Sequence, residues 1–406
     1  AIDEFGWRYI FAMPLPFIAV ALILGPIFLP EKAEKTPMPS FDWTGLAILI
    51  VALVFILTSL TSGQRLGWFS DQVLGRAALG VTAAIAFVFW ELRARRPLLD
   101  FTLFKNPRFG CAMAVSFIFG ICLFGSSYVV PVFAQTVQGY SALKAGWLLA
   151  LGGSVMVFMF PISGRVTDFM PPQGLIVGGL VIFGSGFAMM NSVDVNTGFF
   201  VMAGISAFTR IGLSWVLTPL NATALRYVPP EKLAGAASNS NFFRQLGGGM
   251  GIAVLVAVLE ARTSFHATGL AATQTPSNVT SGEAISTVTR MLAETGLPEA
   301  MRQAEAVTFL GRIVHANAYM FAFQDVFLTL GIITFVAAIP AFFVRRPKTI
   351  PSPLPVAPAA PVVETAPPIG PPILPPTGRP VHVRNDRREA VSRRIMRYGR
   401  RDKEVS

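Results

Sequence analysis

From Phe109 to Leu143 the chain runs thirty-five residues without one charged side chain. About 20 mostly apolar residues suffice to carry a helix across a bilayer. Comparable apolar runs recur at Tyr9–Pro30, Trp43–Gln64, Val73–Leu92, Ala145–Gly164, Gly174–Met190, Thr197–Leu220, Phe242–Leu259 and Tyr319–Val344. Gln135, Gln138 and Gly139 end the helix that begins at Phe109 near Phe133. Backbone polar groups in hydrocarbon are satisfied only inside helices or closed barrels. Runs this long, with no alternation, are not barrel strands. The expected class is an all-α integral membrane protein with nine transmembrane helices.

Composition excludes other classes. The chain is 53% hydrophobic and 14% charged, against about 25% charged in soluble domains. That surplus rules out a soluble enzyme, a secreted disulfide scaffold and a disordered regulator. The net charge of +11 is uneven: residues 379–406 hold ten Lys/Arg and four Asp/Glu. It therefore reads as a tail drawn to anionic lipid, and no nucleic-acid partner is expected. Residues 350–376 contain eleven prolines, the composition of an extended polyproline spacer. Cys111 and Cys122 are separated by about 16 Å of helix, beyond disulfide reach. No metal-ligand spacing, phosphate loop, Ser-His-Asp set or HExxH motif appears, so neither an enzyme nor a cofactor is expected.

Orientation follows from Lys/Arg in the short connections. With the first helix running outside to inside, the short inside loops hold eleven basic residues and the short outside segments four. Residues 261–318 then form a long outside loop with helix-like patches, and the tail lies inside. An odd helix number with an outside start, and an opening Ala-Ile-Asp-Glu-Phe, are expected of a portion of a longer chain.

Charges inside the bilayer are costly, so each is a candidate for function. Arg210 lies about 20 Å along its helix from Thr197. Its guanidinium wants a carboxylate, a carbonyl or an anionic substrate. Asp325 lies about 9 Å into the last helix, where it either joins a proton pathway or reaches interfacial water. Arg244 stands at an inner helix end and can snorkel. Phe117, Phe124 and Tyr128 share a helix face; this stripe grips flat lipophilic molecules, or meets lipid or another helix. Gly247 and Gly251 are four apart, a spacing that lets two helices approach closely.

These segments resemble the major facilitator superfamily, in particular its fourteen-helix drug/proton antiporters of the EmrB/QacA type. Gly6-Trp7-Arg8-Tyr9-Ile10-Phe11, followed by Pro16, resembles the start of that family's sixth helix. Phe41-Asp42-Trp43-Thr44-Gly45 is similar to the start of its seventh, and Arg96-Pro97-Leu98 with Leu103-Phe104-Lys105-Asn106 to the loop after its eighth. Gly164-Arg165-Val166-Thr167-Asp168 resembles the second copy of the superfamily's GxxxD loop, although Met170-Pro171-Pro172 replaces the usual basic cluster. Arg210–Ser214 with Pro219-Leu220-Asn221 resembles the twelfth helix, and Arg244-Gln245-Leu246-Gly247-Gly248 the RQLGG thirteenth. Asn317-Ala318 through Phe327 is similar to the last.

The resemblance implies a major facilitator fold, with the nine helices standing for six to fourteen. Residues 1–30 would be the last helix of the N-terminal bundle, and 31–108 an extra central helix pair with its loops. Residues 109–345 would be a six-helix C-terminal bundle, and 346–406 a Pro-rich, then basic, cytoplasmic tail. It implies a multi-pass protein of the inner (plasma) membrane that exports lipophilic drugs or related molecules in exchange for protons, by alternating access. A periplasmic membrane-fusion adaptor is an associated partner. The first and fourth helices of such a bundle line the cavity, which places Arg210, Phe117, Phe124 and Tyr128 on the substrate and proton pathway; Asp325 joins that set from a peripheral helix. Gly164, Asp168, Arg244, Gly247 and Gly251 become gating candidates. A non-transporting fragment or scaffold, and an exporter of a metabolite or lipid, stand as alternatives.

Overall fold

The computed structural model describes residues 8–28, 41–94, 97–275, 278–294 and 298–344. The chain divides into two units, 1–348 and 349–406. The polyproline spacer, the basic tail and the inside-loop residues Lys32, Lys35, Arg95 and Arg96 lie outside the described residues. Every regular element described is helical: α1 (Tyr9–Ala12), α2 (Leu15–Phe28), α3 (Trp43–Leu66), α4 (Asp71–Arg93), α5 (Pro107–Thr136), α6 (Ala142–Phe169), α7 (Pro172–Met190), α8 (Phe199–Arg226), α9 (Leu233–Thr273), α10 (Val279–Glu294) and α11 (Glu299–Phe342).

Local chemistry sets the starts. Asp42 caps α3 by accepting the Gly45 amide at 2.8 Å. Ser70 and Ser141 cap α4 and α6 in the same way. Asn106 caps α5, with Pro107 in the first turn where no amide is needed.

Among the described residues, eight helices are long and apolar enough to cross a membrane. The ninth expected span, Tyr9–Pro30, divides at Met13 into a four-residue turn and the 14-residue α2. Pro14 and Pro16 withhold the amides a continuous helix would use. At about 21 Å, α2 is shorter than the roughly 30 Å hydrocarbon core.

A second difference concerns residues 261–318. Helix α9 has 41 residues and α11 has 44, about 62 and 66 Å. Both run far past one bilayer thickness, and α10 packs on α11 between them. The expected outside loop is therefore mostly helix. Glu260, Arg262 and Arg312 end an apolar run without ending a helix, because charged side chains are good helix formers in water.

Helices α5 to α9 and α11 form one bundle, with α5 against α9, α7 against α8 and α11, and α6 against α8. Its core includes Phe109, Phe119, Phe133, Phe183, Phe187, Phe323 and Phe327, all under 2% exposed. Phe133 meets Phe323 and Phe327 edge-on at 5.4 and 5.6 Å. Helices α3 and α4 pair with each other, and α3 touches α9.

Candidate functional site

Arg210 sits in the eleventh position after the start of the 28-residue α8, about 17 Å along the axis and some 24 Å from the other end. It is half-buried. Its stem lies against α6 where Gly152 has no side chain: a methyl there would stand 3.0 Å from Ser206 Oγ and 3.4 Å from Arg210 Cγ. Gly152 thus leaves the space that the arginine occupies. The Arg210 backbone carbonyl accepts the Ser214 hydroxyl at 3.0 Å. Its guanidinium belongs to no ion pair or hydrogen bond among the described residues. Five fixed N–H donors are therefore present at mid-helix without an acceptor among the described residues.

The aromatic stripe divides. On α5, Phe117 and Phe124 are half-buried and Tyr128 is 37% exposed. The Phe124 ring packs on α9, where a methyl on Gly248 would fall 2.3 Å from its Cδ2. The same crossing brings Gly247 onto the Phe117 carbonyl and Gly251 onto Ile121, where added methyls would stand 2.0 and 2.8 Å from backbone atoms. These contacts join α5 to α9.

Arg244, eleven residues past the start of α9, donates to Asn221 Oδ1 on α8 at 3.3 Å and to Asn241 Oδ1 at 2.8 Å. It bridges α8 and α9 inside the bundle, its backbone against Gly120 of α5, about 18 Å along that helix from Arg108. The expected place at an inner helix end is thus not the observed one, and the basic end is marked instead by Arg108, Arg165 and Arg226. Gly164 and Asp168 lie in the last turns of α6, with Gly164 facing Thr218 of α8 and Asp168 exposed. Asp325 is not solitary. Its carboxylate accepts Arg262 Nε at 2.5 Å and meets His266 Nε2 at 2.7 Å, both on α9. Sequence reasoning missed both partners because it placed them in a loop. Their spacing, four residues apart on an uninterrupted helix, was the available signal.

A groove of about 320 Å³ opens between Ser141, Lys144, Trp147, Leu151 and Phe199. Lys144 Nζ sits 3.8 Å over the Tyr140 ring beside it. None of the residues singled out from the sequence lines it. Sequence reasoning also missed Glu91, which lies two residues before the end of α4 and is buried.

The sequence profile described as Major Facilitator Superfamily matches residues 1–252. The multidrug transporter protein MdtP of Bacillus subtilis is 29% identical over 263 residues, 64% of this chain and 48% of that protein. The multidrug export protein EmrB of Escherichia coli K12 is 28% identical over 339 residues, covering 82% of this chain and 65% of its own length. The colistin resistance protein EmrB of Acinetobacter baumannii is 26% identical over 351 residues, covering 85% and 67%. The chain thus spans between about half and two thirds of these relatives.

Proposed function

The chain belongs to the Major Facilitator Superfamily, and we propose on that premise that it exports small lipophilic molecules in exchange for protons by alternating access. Relatives whose names denote multidrug transport and export support the substrate class. The observation that carries the reading is the unpartnered guanidinium of Arg210 at mid-helix. An unpaired charge in hydrocarbon is retained against its cost only where something docks on it. A guanidinium keeps its proton at all working pH values, so Arg210 is not the proton carrier. It holds a carboxylate or an electron-rich substrate group, and exchange occurs when that partner is protonated or displaced. Phe117, Phe124 and Tyr128, on α5, add apolar surface to the same pathway. The Arg244 bridge and the α5–α9 glycine crossing are the joints over which the bundle rocks, with Gly164 and Asp168 at its basic end. That end faces the cytoplasm of a cell whose inner membrane holds the protein. A periplasmic adaptor, where one is used, docks on the α9–α11 extension.

The test is efflux of a fluorescent lipophilic dye by the full-length protein, normalised to folded protein. Arg210→Ala is expected to lower it by at least about tenfold, the effect of roughly 1.4 kcal/mol. Arg210→Lys should restore little, because an ammonium lacks the planar fork. Wild-type efflux per folded molecule in Arg210→Ala would sink the reading.

A further inference from the structure

Glu91 is the one charged residue among the buried residues described, at 3% exposure. It sits in the last turn of α4, under the segment that follows. Its Oε2 accepts the Leu99 amide at 3.3 Å, with the Leu98 amide beside it. Its Oε1 is shielded and has no hydrogen-bond partner. A methyl placed on Gly45 would stand 3.0 Å from that oxygen and 2.7 Å from Asp42 Oδ2, so the two carboxylate oxygens are less than 6 Å apart.

The charges around this pair come from three directions. Asp42, at the start of α3, accepts the Gly45 amide and Trp90 Nε1, each at 2.8 Å. Arg93, two residues along α4, is exposed and pairs with neither acid. Asp100, in the covering segment, is taken by Lys232 Nζ at 2.9 Å and by Thr102. No Lys, Arg or His among the described residues forms an ion pair with Glu91 or Asp42.

An ionised Glu91 would hold an unsolvated, unpaired oxygen next to a second carboxylate. Both features oppose the charge, one by desolvation and one by like-charge repulsion. A calcium ion would need six to eight oxygens, and two carboxylates supply at most four. A proton resolves both conflicts. On Oε1 it removes the charge and supplies a donor on the side of Asp42, while Oε2 keeps its acceptor role.

We propose that Glu91 is a proton-binding site that holds one proton on Oε1 at neutral pH while Leu98 and Leu99 lie over it. The cover is fastened elsewhere: Asn239 of α9 donates to the Asp100 carbonyl at 3.1 Å, and Lys232 clamps the Asp100 side chain. Release of the proton to water is thereby tied to lifting Leu98 and Leu99 with Asp100. Occupancy is a property of the resting protein and does not depend on the export reading.

The test is infrared spectroscopy of the 406-residue chain in lipid nanodiscs. The wild type at neutral pH should show a protonated-carboxyl carbonyl band that is wholly lost in Glu91→Gln and bleaches under alkaline titration. Asp42→Asn should keep the band and move its titration to lower pH, because one repelling charge is gone. Where Glu91→Gln does not fold, Glu91→Asp decides instead: a protonated-carboxyl band at neutral pH displaced in frequency from the wild-type band supports the site. Absence of any Glu91-dependent band at neutral pH overturns it, whether or not export is proton-coupled.

Discussion

A single methyl group at Gly247 tests how the bundle is held together. In Gly247→Ala the new carbon would lie 2.0 Å from the Phe117 carbonyl oxygen and 2.8 Å from its carbon, where ordinary contact begins at 3.4 Å. The obstacle is backbone, so no side-chain rotation relieves it. Helices α5 and α9 must part locally by roughly 1.4 Å, the shortfall between those distances. Parting also loosens Gly248 on Phe124 and Gly251 on Ile121. A radial gap of about 0.5–1 Å already forfeits a quarter to a half of a van der Waals well. Overpacking costs about 1–3 kcal/mol, and backbone on backbone puts this site in the upper half. The control is Gly249→Ala, two residues along the same helix, where the nearest atom is Leu57 Cδ1 at 3.9 Å. It carries the same gain in helix propensity, up to about 1 kcal/mol, without a clash. Reversible unfolding in mixed micelles should therefore rank Gly249→Ala at or above wild type and Gly247→Ala below it by about 2 kcal/mol, roughly a thirtyfold change in folded ratio. If the two variants agree within about 0.5 kcal/mol, the spread of ordinary surface changes, the crossing does not depend on backbone contact.

Burial pushes the Asp100 carboxyl up, but hydrogen bonds from Thr102 and Lys232 more than reverse this and hold it below its usual value. Its stabilising contribution is thus present above the unfolded value near 3.9 and lost as pH falls through the folded one; acid unfolding curves should flatten in Asp100→Asn, and an unchanged acid slope would refute the clamp. Asp325→Asn removes the acceptor shared by Arg262 and His266, side chains 40% and 22% exposed. It should cost about 1 kcal/mol or less and leave efflux per folded molecule within roughly twofold, whereas a collapse of efflux would return Asp325 to the proton pathway. Cysteines at Ser277 and Thr377, in a background without Cys111 and Cys122, should label from outside and inside respectively; the reverse pattern would invert the orientation.

Span positions were legible because hydrophobic length is a property of one segment read alone. Trp43, Ala142 and Phe199 start helices within three residues of the expected positions. Boundaries set by charge were not legible. Glu260 ends an apolar run, yet α9 continues to Thr273, since leaving the bilayer does not break a helix. The Gly247–Gly251 pair was legible as close packing, for a missing side chain has few other uses inside an apolar helix. The partner helix, α5, was not, because the spacing names no neighbour.

Charge neighbourhoods were the least legible, and Arg210, Asp325 and Glu91 show why. Depth along the helix, the only quantity a sequence offers, singled out Arg210 and Asp325 and passed over Glu91 near a helix end. Pairing separates them differently. Asp325 is matched by two bases one helical turn apart, so its charge is locally satisfied. Arg210 keeps its donors, and Glu91 keeps an oxygen that neither water nor protein reaches. The cost of a charge depends on what surrounds it in three dimensions. A mid-helix aspartate is therefore inexpensive when α9 runs on past the expected loop to bring Arg262 and His266 alongside. A rim glutamate is expensive when Leu98 and Leu99 fold back over it. Each unresolved charge needs an external partner of opposite character, an acceptor for Arg210 and a proton for Glu91.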